Sequence, residues 1–191
     1  MANIFILLGH PDKNTTCGSF ATSYEQGAKA AGHEVRRINL GDLKFDPILH
    51  KGYHETQLLE PDLLAVQENF KWANHIVIFY PNWWSSMPAL LKGMFDRMFL
   101  PNFAFHFNPN HMSWKKLLTG RSARVVVTMD NWPFIAWLMF GDYTNEISRA
   151  VLGFAGVHPV RVTKIGPILN MSEKHKKYWH EKLEQWGRVG K

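Results

Sequence analysis

The chain has 191 residues, 46% hydrophobic and 20% charged, which excludes a disordered polymer and suits one domain better than two. A net charge of +6 is compatible with nucleic acid, but Lys and Arg are scattered, clustering only at Lys115-Lys116 and Lys174 to Lys177, so a nucleic-acid module is not expected. No apolar stretch nears the roughly 20 residues of a spanning helix, and MANIFILLGH lacks the basic start of a signal peptide, so no membrane insertion is expected. One cysteine, Cys17, suits a reducing compartment, and the expected setting is cytoplasmic.

The first apolar run, Ile4 to Leu8, reads as a strand and leads into the polar loop GHPDKNTTCGSF, Gly9 to Phe20. Helical spacing covers Ser19 to Ala31, closed by Gly32. A second strand, Val35 to Leu40, precedes an irregular stretch, Gly41 to Glu60. Pro61 to Ala73 opens on Pro-Asp, suited to a first helical turn, with Leu64, Phe70 and Trp72 as its apolar side. His75 to Tyr80 is the third strand, followed by a loop with two adjacent tryptophans.

The helix at Met87 to Phe99 places Leu90, Leu91, Met94, Phe95 and Met98 on one side, and Pro101 to Lys116 is again irregular. Arg124 to Met129 is a strand. Trp132 to Phe140, apolar throughout, reads either as a lid or interface segment or as an ordinary buried helix start. Asn145 to Phe154 is helical, Val160 to Ile165 is the last strand, and Glu173 to Trp186 aligns Trp179, Leu183 and Trp186. This βαβαβαβαβ alternation, with short continuous apolar strands, predicts an α/β fold with a parallel sheet covered on both faces, a single domain over 1–191.

Ligands of open parallel sheets bind beyond the carboxyl ends of the strands. The loop after the first strand offers Thr15, Thr16 and Ser19 hydroxyls at a helix start, a setting for phosphate and equally for a plain helix cap. It carries neither G-x-x-x-x-G-K-[ST] nor G-x-G-x-x-G. In the loop after the third strand, Trp83 and Trp84 beside Ser85 and Ser86 suit a flat heteroaromatic ring, although one tryptophan is expected to face protein. TMDNWPF, Thr128 to Phe134, again joins polar residues to a tryptophan. His106 and His111 lack further ligands, so no metal is expected. Cys17 reads as packing, and Asp12 and Asp142 as turn or cap residues.

YPNWWSSMPALLKGMFDRMF, Tyr80 to Phe99, resembles the signature of the flavodoxin-like NAD(P)H:quinone oxidoreductases: a proline, an aromatic pair, then a P-A-L-L-K-G-W/M-F-D-R helix. The GHPD loop looks like that family's flavin phosphate loop, and INLGDLKFDPIL, Ile38 to Leu49, is similar to its D-L-Y-x-x-x-F-x-P segment. Gly141-Asp142 and the Gly153 to Gly156 motif have counterparts as well.

The resemblance implies a flavodoxin-like, doubly wound five-stranded parallel sheet of order 2-1-3-4-5, FMN (alternatively FAD) with NAD(P)H as co-substrate, and a homodimer. By position, His10, Thr16, Gly18, Ser19 and Phe20 would hold the flavin phosphate and ribityl end. Pro81, Asn82, Trp83, Trp84 and Ser85 would contact the ring, the backbone amides of Trp83 to Ser85 facing its pyrimidine edge, and Thr128, Met129, Asp130 and Asn131 would border its other side. The implied activity is ping-pong transfer of hydride from NAD(P)H through the flavin to a quinone or similar flat acceptor. The alternative is a flavin-binding electron carrier or the regulatory subunit of a membrane transporter. Two departures stand out. Phe134, Trp137 and Phe140 occupy the region where the mammalian enzymes carry an assisting Tyr and His, and Asp130-Asn131 replaces a diglycine, so no catalytic side chain is assigned.

Overall fold

A computed structural model of the chain describes residues 1–109 and 112–190. In chain order it contains β1 (Asn3–Leu8), α1 (Thr16–Ala30), β2 (Glu34–Asn39), α2 (Pro61–Trp72), β3 (His75–Pro81) and α3 (Ala89–Met98). There follow β4 (Phe105–Phe107), β5 (Trp114–Lys116), β6 (Ser122–Thr128), α4 (Pro133–Phe140), a π-helix (Glu146–Gly153), β7 (Val160–Ile165) and α5 (Glu173–Val189). The main sheet is wholly parallel, in the order β2-β1-β3-β6-β7. With the β4-β5 hairpin set aside, this is the expected 2-1-3-4-5 arrangement.

Alternation along the strands sends side chains to two cores. Phe5, Leu7, Ile76, Ile78, Val125 and Val127 pack with residues of α2, α3 and the π-helix. Ile4, Ile6, Leu8, Val77, Phe79 and Val126 pack with α1 and α5 on the opposite face. Those two helices touch through glycines: a Cβ at Gly27 would lie 2.0 Å from the Glu184 carbonyl oxygen, and one at Gly187 2.1 Å from that of Tyr24. Any larger side chain at either position would force the helices apart.

The long connection over 41–60 is irregular, as expected, and is fixed from beneath by the buried Arg97 of α3. Its guanidinium pairs with Glu60 at 2.9 Å and donates to the carbonyls of Leu58 and Asp46. Three expectations change. Residues 101–116 include the β4-β5 hairpin, because Trp114 stacks on Phe154 at 4.4 Å and donates its indole N–H to the Phe154 carbonyl. On α2 the buried positions are Leu63, Val66, Gln67 and Phe70, with Leu64 about half exposed. The helix expected at 145–154 is a π-helix, a distinction that apolar spacing over two turns does not carry. Among the described residues no helix is long and apolar enough to cross a membrane.

Candidate functional site

The strands β1, β3 and β6 are adjacent and in register, so the loops that leave them meet at one sheet edge. After β1 the chain folds on itself through its own side chains. His10 Nδ1 accepts the Asp12 N–H at 2.8 Å, and Asp12 Oδ1 accepts that of Asn14 at 2.8 Å. Thr15 Oγ1 then accepts the Gly18 N–H at 3.2 Å, an N-cap that starts α1 three residues before the expected Ser19. A Cβ at Gly18 would sit 2.0 Å from the Lys13 carbonyl oxygen, so this closure requires glycine. The first-turn N–H groups of Thr16 and Cys17 have no acceptor within the helix, and the helix dipole makes that end attractive to an anion. A shallow groove of about 650 Å³ runs past this end, between Lys13, Ser19, Thr22 and Lys176 of α5.

After β3, the Asn82 N–H donates to the Thr128 carbonyl at 2.7 Å. The chain then reverses through a tight turn closed by Trp83 N–H to Ser86 O at 2.9 Å and Ser86 N–H to Trp83 O at 3.0 Å. Its two central residues are left-handed, with φ 52° at Trp84 and 57° at Ser85. This is type I′ geometry, normally made with Asn or Gly, and it costs about 1–2 kcal/mol at each non-glycine. Such strain persists only where surrounding structure holds it, typically at functional sites.

The turn corrects two expectations. Neither tryptophan is buried in protein: Trp83 is 45% exposed, and Trp84, at the tip, is fully exposed. The Trp83 amide is used to close the turn, which leaves those of Trp84 and Ser85 outside the cross-turn bonds. Trp83 stands edge-on to the His10 imidazole.

The third loop supplies the floor. Thr128 and Met129 are buried, Met129 is bonded to Ile165 and Ile168 through the backbone, and Tyr143 donates its hydroxyl proton to the Met129 sulfur at 3.4 Å. Asp130 is exposed at the rim, while the Asn131 side chain turns back to accept the Trp132 N–H.

The three loops enclose a cleft of about 200 Å³. His10, Thr16, Pro81, Asn82, Trp83, Thr128, Met129 and Asp130 line it, and Thr15 and Thr16 join it to the groove, where Gly18 and Ser19 lie. Four residues expected here line neither hollow. Phe20 is a turn further into α1 and wholly buried against His180, Trp84 and Ser85 form the turn tip, and Asn131 caps the next segment. Cys17, Ile168 and Lys176 complete the walls. Burial pushes the Cys17 thiol up to about 12, which makes it a wall residue and no nucleophile.

Asn82 Oδ1 is buried beside the cleft without a hydrogen-bond partner, an acceptor that a ring N–H would satisfy. Two larger hollows, of about 680 and 690 Å³, lie along β7 and between the 49–57 and 99–107 segments, away from this convergence. Asp12 and Asp142 are turn residues, as expected, each accepting the N–H two positions on. His106 bonds to Asn102, His111 lies outside the described residues, and among the described residues no cluster of His, Cys, Asp or Glu could hold a metal ion.

This sheet order and loop convergence are matched by the family model described as a flavodoxin-like fold, over residues 2–189. The chain belongs to the flavodoxin-like fold family. Among the relatives is the ribosyldihydronicotinamide dehydrogenase-like protein traD of Penicillium crustosum, 25% identical over 68% of this chain and 58% of its own length. An FMN-dependent NADH:quinone oxidoreductase of Ruegeria pomeroyi is 34% identical over 54% of this chain and 51% of its own. The chain thus spans a little over half the length of these curated relatives. A crystal structure of Smu.1420 from Streptococcus mutans superposes with a TM-score of 0.82 at 25% identity, covering 98% of this chain and 99% of that one.

Proposed function

We propose that the chain is a flavin-dependent NAD(P)H oxidoreductase, passing hydride from NAD(P)H through bound FMN to a quinone or similar flat acceptor. The observation that carries this reading is the continuity of an aromatic-walled cleft at the ends of β1, β3 and β6 with a groove at the amino end of α1. The pairing suits a flat ring with a phosphate tail. The unpartnered Asn82 oxygen and the glycine-dependent closure at Gly18 are compatible with FMN. The name of the Ruegeria pomeroyi relative points the same way.

FMN, when bound, supplies the acceptance and release of hydride. Thr16, Ser19 and the free amides of α1 would hold its phosphate, with Lys176 adding positive charge at the rim. Because His10 Nδ1 is occupied as an acceptor, its proton sits on Nε2, leaving a donor at the cleft wall. Trp83 would wall the ring, Asn82 Oδ1 would receive a ring N–H, and Met129 would close the floor against water.

The chain is taken as a single domain over 1–191, cytoplasmic, and a homodimer. The dimer reading is supported by α4, whose Phe134, Trp137, Leu138, Met139 and Phe140 are all at least half exposed. Mass spectrometry of the cofactor released from the purified or reconstituted protein tests the FMN assignment: FMN is expected, FAD would revise the cofactor, and failure to take up either would overturn the flavin reading.

A further inference from the structure

Glu146 opens the π-helix, 60 positions beyond Ser86 in sequence and next to it in space. One of its carboxylate oxygens accepts two hydrogen bonds, from the Ser86 hydroxyl at 2.8 Å and from the Met87 N–H at 3.1 Å. Among the described residues no Lys, Arg or His lies within ion-pair distance of this half-buried carboxylate. It is a charged acceptor committed to two neutral donors, and such bonds are about twice as strong as neutral ones. Both donors belong to the exit of the strained turn.

The turn is thus anchored on two sides. Its entry is tied to β6 by the Asn82 N–H on the Thr128 carbonyl, and its exit is tied to the π-helix by Glu146. Between the anchors lie two consecutive non-glycine residues in left-handed backbone, which relax once an anchor is lost. π-helical turns are frequent at functional sites, and this π-helix delivers the anchoring carboxylate.

We infer that Glu146 is the positioning residue of the turn from Trp83 to Ser86, setting where the Trp83 ring stands at the wall of the flavin site. The functional half of this inference rests on the flavin reading above. The tether itself does not.

The test compares the wild type with Glu146→Gln, which keeps an acceptor oxygen, and Glu146→Ala, which removes it. In the flavin-free proteins, amide hydrogen exchange is followed at Trp83, Ser86 and Met87. The alanine variant should exchange faster by about tenfold, and the glutamine variant should stay within about threefold of wild type. FMN titration should follow the same pattern, with affinity about tenfold weaker for alanine and near wild type for glutamine.

Wild-type exchange and wild-type FMN affinity in a folded Glu146→Ala protein would overturn the inference. So would weakened FMN binding without faster exchange, or a glutamine variant that behaves like alanine. If Glu146→Ala does not fold, Ser86→Ala, which removes one of the two bonds, takes its place, with an expected change of about threefold in both readouts and no change as the contrary result. If the wild type binds no flavin, the exchange data still decide the tether, and the flavin reading fails alone.

Discussion

The imidazole of His10 meets the indole of Trp83 edge-on, with ring centroids 5.5 Å apart and planes at 73°. Each residue lies two positions past the end of its strand, and β1 and β3 are paired neighbours with Leu8 opposite Phe79. Sheet register therefore carries the two rings to the same cleft wall. Such a pair contributes about 0.5–1.5 kcal/mol beyond the area it buries. Trp83→Ala should lower FMN affinity by about tenfold or more, and Trp84→Ala by less than about threefold, both read by flavin fluorescence quenching. Equal losses would mean that both indoles touch the ring.

Trp84 occupies a left-handed position with its side chain in solvent. Trp84→Gly removes the Cβ clash of that conformation and should raise stability by about 1 kcal/mol, less the extra freedom glycine gives the unfolded chain. Thermal unfolding should show a melting temperature equal to or above wild type, with FMN binding retained. A drop of several degrees would mean that the Trp84 side chain makes a contact the turn depends on.

The sheet was legible from its short continuous apolar strands, and the two hydrophobic faces followed from alternation within them. The cleft was legible where a strand runs directly into its loop, as at His10, Pro81 to Trp83 and Thr128 to Asp130. It was not legible at Lys176 or Ile168, which reach the same hollows only because α5 packs on α1 and β7 ends beside β6. Adjacent tryptophans were expected to diverge, one of them into protein, because alternation holds for extended chain; two left-handed residues broke that rule and put Trp84 at a turn tip. Glu146 gave no local signal at all, since its partners are 59 and 60 residues away.

His75, at the start of β3, is buried, with Nδ1 2.8 Å from the Ser122 hydroxyl. Burial, with a smaller contribution from the charges of Arg124, Arg161 and His33, lowers its pKa from 6.5 to about 4. Above pH 6.5 it is neutral whether the chain is folded or not, and its contribution to stability is intact. As pH falls from 6.5 towards 4, the unfolded chain binds a proton that the folded chain refuses, so stability drops, by about 2 kcal/mol between pH 7 and 5. Denaturant melts of wild type and His75→Gln across that range should show the slope in the former and a smaller one in the latter. Parallel slopes would remove His75 as the cause.

The helix α4 buries Ala136 and leaves a run of large apolar side chains in solvent. Covering that run is the role given to a second copy in the dimer reading. Light scattering should give twice the 22.1 kDa chain mass for the wild type, and Leu138→Glu with Met139→Glu should return it to monomer without changing the circular dichroism spectrum. A monomeric wild type at micromolar concentration would contradict the dimer.

The most direct measurement is anaerobic stopped-flow mixing of the FMN-loaded protein with NADH and with NADPH, followed at the flavin absorbance near the visible maximum. The reading of the cleft as an oxidoreductase site predicts bleaching by at least one of the two nucleotides, followed by return of the colour when a quinone is added. A protein that binds FMN yet is bleached by neither nucleotide would contradict it and leave a flavin-binding protein without reductase activity.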